Sequence, residues 1–246
     1  LHDALPIYGP VNAIRADSVR PGLLDAATEL GVYVSGYDGD HWQPLQYNLP
    51  HTSARDLLVH GDDLVVATHG RSFWVLDDIE PLREIAADAS KLPTLFKPAA
   101  AWRVRRDNYT DTPLPPDEPM AANPPDGAII DYDLPQAASG VVTLEILDSA
   151  GHVIRRYAST DPVTPTREEL RTNLIPPYWP KRNGPLPTSA GMHRWVWNLH
   201  ATTPTATHYD YPISAVPHRT PLEPQGPVVL PGTYTVRLTV DGHSAS

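Results

Sequence analysis

The stretch "LLDAATELGVYVS" (Leu23 to Ser35) can be laid over "DLVVATHGRSFWVLD" (Asp63 to Asp77). Ala27-Thr28 then falls on Ala67-Thr68, and Tyr33 falls on Trp74 after a one-residue insertion. Each copy follows another short apolar run, "VNAIRAD" (Val11 to Asp17) and "ARDLLVH" (Ala54 to His60). An internal repeat constrains a chain strongly, because each copy must fold as the same unit and bury its apolar face against a neighbour. The runs are short, rich in Val, Leu, Tyr and Trp, and separated by Gly, Asp and Asn turns, which is the pattern of short antiparallel strands. A period of about 40 residues holding about four strands is the size of one propeller blade. Two copies are too few to close a ring, so the chain reads as a fragment of a longer protein.

Beyond Asp78 the pattern changes. "IEPLREIAADAS" reads as a helix, with Asp78 as N-cap and Pro81 tolerated in the first turn. "TLFKPAAAWRVR" carries one more strand. From Tyr109 to Gly127 the text is "YTDTPLPPDEPMAANPPDG", rich in proline and almost without large apolar residues, and reads as a semi-stiff linker. Strands resume as "AIIDYDL", "VVTLEILD", "HVIRRYAS", "HRWVWNLH" and "GTYTVRLTVDG". Thr143 and Glu145 alternate with Leu144 and Ile146, and Tyr234, Val236, Leu238 and Val240 alternate with Thr235, Arg237 and Thr239. That period of two describes a half-buried sheet and predicts a small antiparallel sandwich of Ig-like or fibronectin-type size over residues 128–243. "DSAG" (Asp148 to Gly151) is its hairpin turn. Two Pro-rich insertions, Asp161 to Ala190 and Ala201 to Pro227, interrupt it and carry Tyr178, Trp179, Tyr209 and Tyr211. The expected organisation is all-β: terminal propeller blades with a short helix (8–108), linker (109–127) and sandwich (128–243). Residues 1–7 fit no pattern that follows them.

The net charge of -10 argues against nucleic acid as partner, since phosphate binding needs a basic surface. The absence of cysteine removes disulfides and thiolate chemistry. No apolar run approaches the length of a membrane span.

The residues "LLDAATELGVYVS" and "DLVVATHGRSFWVLDDI" resemble the last blades of BNR/Asp-box propellers, the sortilin-like group labelled glycosyl hydrolase in bacteria. The Asp-box of that family runs Ser-x-Asp-x-Gly-x-Thr-Trp. In "SGYDGDHW", Ser35, Gly39 and Trp42 hold its positions, while Tyr37 and His41 replace its acid and its threonine and Asp38 stands one step late. "PGTYTVRLTVDG" (Pro231 to Gly242) looks like the Ig-like module that follows such propellers. The resemblance implies an exported protein, periplasmic or extracellular, and a structural role for Ser35, Asp38, Gly39 and Trp42 in a hairpin on the face away from ligand.

It also directs attention to the opposite loops, "TELG" (Thr28 to Gly31) and "THGRS" (Thr68 to Ser72). They carry Glu29, His69 and Arg71, a carboxylate, an imidazole and a guanidinium fitted to a sugar or an acidic group. The structural alternative is an ion pair of Glu29 with Arg71 between blades, with His69 capping a turn. Asp77 and Asp78 supply hard oxygens suited to calcium, or a helix cap, and the following helix favours the cap. His60 and His69 lack zinc spacing, and His200, His208 and Asp210 lie in a Pro-rich insertion, so no metal or cofactor is expected. Trp195 and Trp197 share one strand face and fit sandwich core, with carbohydrate stacking as the alternative. The expected function is a non-catalytic binding or scaffolding region with a protein or carbohydrate ligand. The alternative is the rim of a sialidase-like glycoside hydrolase whose arginines, tyrosine and acids stand in other blades.

Overall fold

The first copy of the repeat folds as β1 (Val11–Ala16), β2 (Leu24–Thr28), β3 (Gly31–Ser35) and β4 (Gln43–Pro44), an antiparallel meander in that order. The second folds as β5 (Ala54–His60), β6 (Asp63–Thr68) and β7 (Phe73–Leu76), again in chain order. The computed structural model describes residues 9–85, 92–104, 115, 117, 118, 121, 123–172, 176–180, 184–205 and 225–246.

The two copies share a detail finer than strand order. The register shifts between Val11 and Ala13 in β1, and between Ala54 and Asp56 in β5. Ala13 then stands opposite Ala27, and Asp56 opposite Ala67, so the irregularity falls at the same place in both sheets. A bulge inserts one residue and re-aims its side chain. The inserted residues are Asn12 and Arg55.

The sheets meet face to face. Ala27 and Val32 of the first pack with Leu57, Leu64 and Val66 of the second, in a core that also takes Leu45, Leu49 and Ile79. Each fully buried Leu, Val or Ile of this kind stabilises by roughly 1.5–3 kcal/mol. The second sheet is apolar on its other side as well. Leu58, Val65 and Val75 stand in one cross-strand row, and Leu58, Phe73 and Val75 are 56%, 74% and 53% exposed.

After β7 the chain turns into α1 (Glu80–Glu84), with Pro81 in its first turn. The cap position is Ile79 and not Asp78. Asp78 has φ 57°, and its N–H donates to the Asp63 carboxylate at 3.0 Å. From that earlier position its own Oδ1 still accepts the Glu80 N–H at 3.1 Å, so the carboxylate expected at the cap serves the helix from one residue ahead of the cap position. The remainder of the expected helix, from residue 86, lies outside the described residues.

The second group of strands is β8 (Thr94–Leu95), β9 (Ala128–Leu134), β10 (Thr143–Leu147), β11 (Val153–Ala158), β12 (Gly191–Trp197), β13 (Thr235–Val240) and β14 (His243–Ala245). One sheet runs β11-β10-β13-β14, the other β12-β9-β8. Alternation decides the core: Ile130, Tyr132 and Leu134 of one sheet bury with Leu144, Ile146, Leu238 and Val240 of the other. The β13–β14 hairpin turns on Asp241-Gly242, both with positive φ (48° and 83°), as a two-residue turn requires. Inside the first Pro-rich insertion stands an unexpected helix, α2 (Arg167–Thr172). Thr166 Oγ1 accepts from the Glu169 N–H at 3.2 Å, and the Glu169 carboxylate accepts from the Thr166 N–H at 2.6 Å, a reciprocal capping box. The sequence stretch "TLF" follows the first module in the chain, yet β8 hydrogen-bonds β9.

The chain divides into two compact units, Leu1–Ser90 with Phe96–Ala99, and Lys91–Leu95 with Ala100–Ser246. Among the described residues both are predominantly β.

Candidate functional site

One end of the first unit gathers the β2–β3 turn, the β6–β7 turn and the starts of β1 and β5. Thr28 closes the first of these turns. Its buried hydroxyl donates to the Gly31 carbonyl at 3.0 Å and accepts the Leu30 and Gly31 N–H groups at 3.1 and 3.2 Å. Gly31 has φ 149°, a conformation that side-chain-bearing residues rarely adopt, so this corner favours glycine. The turn presents Glu29, whose own N–H donates to the Pro10 carbonyl at 3.1 Å.

The carboxylate of Glu29 accepts from Arg55 Nη1 at 2.8 Å. The Ser53 hydroxyl, the Asn12 carboxamide, Arg55 and His69 together hold its carboxyl below the ordinary glutamate range. Both bulge residues are in this set: Asn12 donates to the Ala54 carbonyl at 2.9 Å, and Arg55 reaches Glu29 directly.

His69 sits in the second turn, exposed, with its N–H on the Ser53 carbonyl at 2.8 Å and its carbonyl accepting from Thr52 Oγ1 at 3.3 Å. Arg71 is exposed in the same turn, and its carbonyl accepts the Trp74 indole N–H at 2.8 Å. Of the three residues expected on this face, Glu29 and His69 are linked only through the charge of the imidazole on the carboxyl. The ion pair of Glu29 is with Arg55 and not with Arg71. Arg55 was legible only through the bulge: strict alternation counts it as one more strand residue, whereas the extra residue in the ladder turns it toward the loops.

The opposite end holds the other predicted group. Ser35 is buried, and its Oγ accepts the Tyr37 and Gly39 N–H groups at 3.3 and 3.1 Å. Asp38 and Gly39 both have positive φ (52° and 93°), Asp38 is exposed, and its N–H donates to the Gly22 carbonyl at 3.0 Å. Trp42 is 9% exposed beneath this turn. Tyr37 and His41 meet edge to face, and with Asp40 and Gln43 they line an open depression of about 480 Å³. At the same end, Arg83 of α1 is almost fully buried and joins Asp17, Asp62 and Glu80.

Among the described residues, no three His, Asp or Glu side chains gather as a metal-ligating set. His200 Nδ1–H donates to the Gly226 carbonyl; His208 and Asp210, like Tyr209 and Tyr211, lie outside the described residues. Trp197 is buried in the second unit's core, its indole N–H on the His200 carbonyl at 2.9 Å, and Trp195 packs edge-on against Tyr157. Compared with protein-family models, curated proteins and solved structures, the chain matches none of them.

Proposed function

We propose that this chain is a non-catalytic binding and scaffolding region of an exported protein, its first unit the terminal blades of a BNR/Asp-box type propeller and its second an Ig-like module. The observation that carries the reading is the pair of equivalent bulges, which turn Asn12 and Arg55 toward Glu29 at the end where the β2–β3 and β6–β7 turns stand. Repeating sheets that place polar side chains at one end make a surface for a ligand, and the apolar outer side of the second sheet supports a blade stacked between neighbours. With Arg55 on the Glu29 carboxylate and Arg71 exposed in the β6–β7 turn, that surface suits a protein or glycan ligand bearing acidic groups. The reading is tested by titrating the chain with neutral and carboxylate-bearing oligosaccharides and with acidic peptides. Saturable binding weakened by Arg71→Ala and by Arg55→Ala supports it. No binding, or binding indifferent to both changes, refutes it.

A further inference from the structure

Asp25 is the second residue of β2, facing Arg15 of β1 and Val34 of β3 across the ladder. By strand alternation it shares the face of Ala27, which packs on Leu57, Leu64 and Val66 of the second sheet. It is completely buried, and neither carboxyl oxygen has a hydrogen-bond donor. The donors in its surroundings are engaged elsewhere. Arg83 serves Asp17, Asp62, Glu80 and the Gly61 carbonyl; Arg15 serves Asp56; Arg20 donates to the Leu82 carbonyl at 2.7 Å.

A carboxylate cut off from both water and donors is far costlier than the neutral acid in the same place. We propose that Asp25 stands in the folded first unit as the neutral carboxylic acid, and that its ionisation is a pH-operated release of the packing between the two sheets. The charged groups about it are Arg15 and Asp17 from β1 and its turn and Arg83 from α1, with Asp56, Asp62 and Glu80 held by those two guanidinium groups. β3 opposes it with Val34 alone. Asp17 repels a second negative charge and Arg83 attracts one, but Arg83 already answers three carboxylates.

Burial, and then the charge of Asp17, push the Asp25 carboxyl up to about 7 against the opposing pull of Arg83. Its value in the unfolded chain is the ordinary 3.8. A raised folded value means that the contribution is fully present below the unfolded value and is lost as pH rises through about 7. The packing between the two sheets therefore weakens as pH rises from about 4 to about 7, and Asp25 adds no further change above that. This device does not depend on the ligand-binding reading, whose residues stand at one end of the sheets.

The test uses the whole chain. Infrared spectra of the wild type at about pH 6, where ordinary carboxyls are ionised, show a protonated-carboxyl band that is missing from Asp25→Asn. Hydrogen-exchange protection of β2 and β5 amides, corrected for intrinsic exchange, falls by up to roughly tenfold per pH unit between about pH 4 and 7 in the wild type, levels off above neutrality, and lacks this fall in the variant. Should Asp25→Asn not fold, Asp25→Val supplies the comparison, its apolar side chain matching Val34 opposite. A wild type without the band at that pH, or protection in the wild type that is level with pH, overturns the proposal. So does an equal fall in the wild type and in a folded Asp25 variant.

Discussion

Arg83 and Asp17, 66 residues apart, meet across the end of the first unit with Nη2 and Oδ2 at 2.9 Å, side chains 4% and 0% exposed. Burial alone would raise the Asp17 carboxyl, yet the Arg20 N–H, the Arg83 guanidinium and the Val19 N–H hold it below its ordinary value. Removing one partner of a buried pair leaves the other uncompensated, so Arg83→Met is expected to destabilise by roughly 3–5 kcal/mol. The exposed pair Arg15–Asp56 is the control, and Arg15→Met is expected to cost no more than about 1 kcal/mol. Denaturant unfolding of the two variants checks the contrast. Because the folded Asp17 value is depressed, its contribution is present above the ordinary carboxylate range and is lost as pH falls through the lowered value.

Trp42 fills the space beneath the Ser35 turn, and Trp42→Ala is expected to destabilise by about 3–5 kcal/mol. Its indole N–H has no acceptor. Trp42→Phe should therefore retain most of the stability, since area and not a hydrogen bond is what the site uses. Equal losses in thermal unfolding of the two variants would contradict this.

Arg71→Ala should leave folding unchanged, because the side chain is exposed and the Trp74 indole bonds only to the Arg71 carbonyl, which alanine keeps. Glu29→Gln should also be nearly silent in folding, since the pair it breaks with Arg55 is open to solvent. If Arg71→Ala unfolds the first unit, Arg71 is a structural residue and its place at a ligand surface fails.

Gly127, just before β9, has φ 141°, and a Cβ on it would strike the backbone carbonyl of Trp197. Gly127→Ala should destabilise the second unit by more than the ordinary Gly-to-Ala effect of about 1 kcal/mol, because backbone and not a flexible side chain must give way. Gly151, whose Cβ would meet nothing, shares a positive φ and separates the two causes: Gly151→Ala carries the strain without the collision. Similar losses in the two would assign the cost to φ alone.

The chain on its own is expected not to hydrolyse glycosides. Among the described residues, the carboxylate of Glu29 is paired with the Arg55 guanidinium and not with a second carboxyl group. Turnover of aryl glycosides or sialosides above buffer, lost in Glu29→Gln, would refute this.

The strands of this protein are written in local pattern. β5 and β9 occupy the very runs "ARDLLVH" and "AIIDYDL", and the buried faces of β10 and β13 follow from alternation, because side-chain direction in a strand repeats every two residues whatever the surroundings. The repeat was legible for the same reason. α2 is harder to read: Thr166 and Glu169 carry the spacing of a capping box, but the prolines on both sides give the insertion the composition of a loop. Which charges meet is another matter. Glu29 takes Arg55 and not Arg71, Asp17 takes Arg83, and Asp25 takes nothing, though all are ordinary charged residues in the text. A single extra residue in β5 redirects Arg55, and the approach of α1 to the β1–β2 turn engages the guanidinium that Asp25 lacks. Those outcomes depend on distances between elements far apart in the chain, and Coulomb energy and desolvation change steeply with such distances, so only the packed structure decides them.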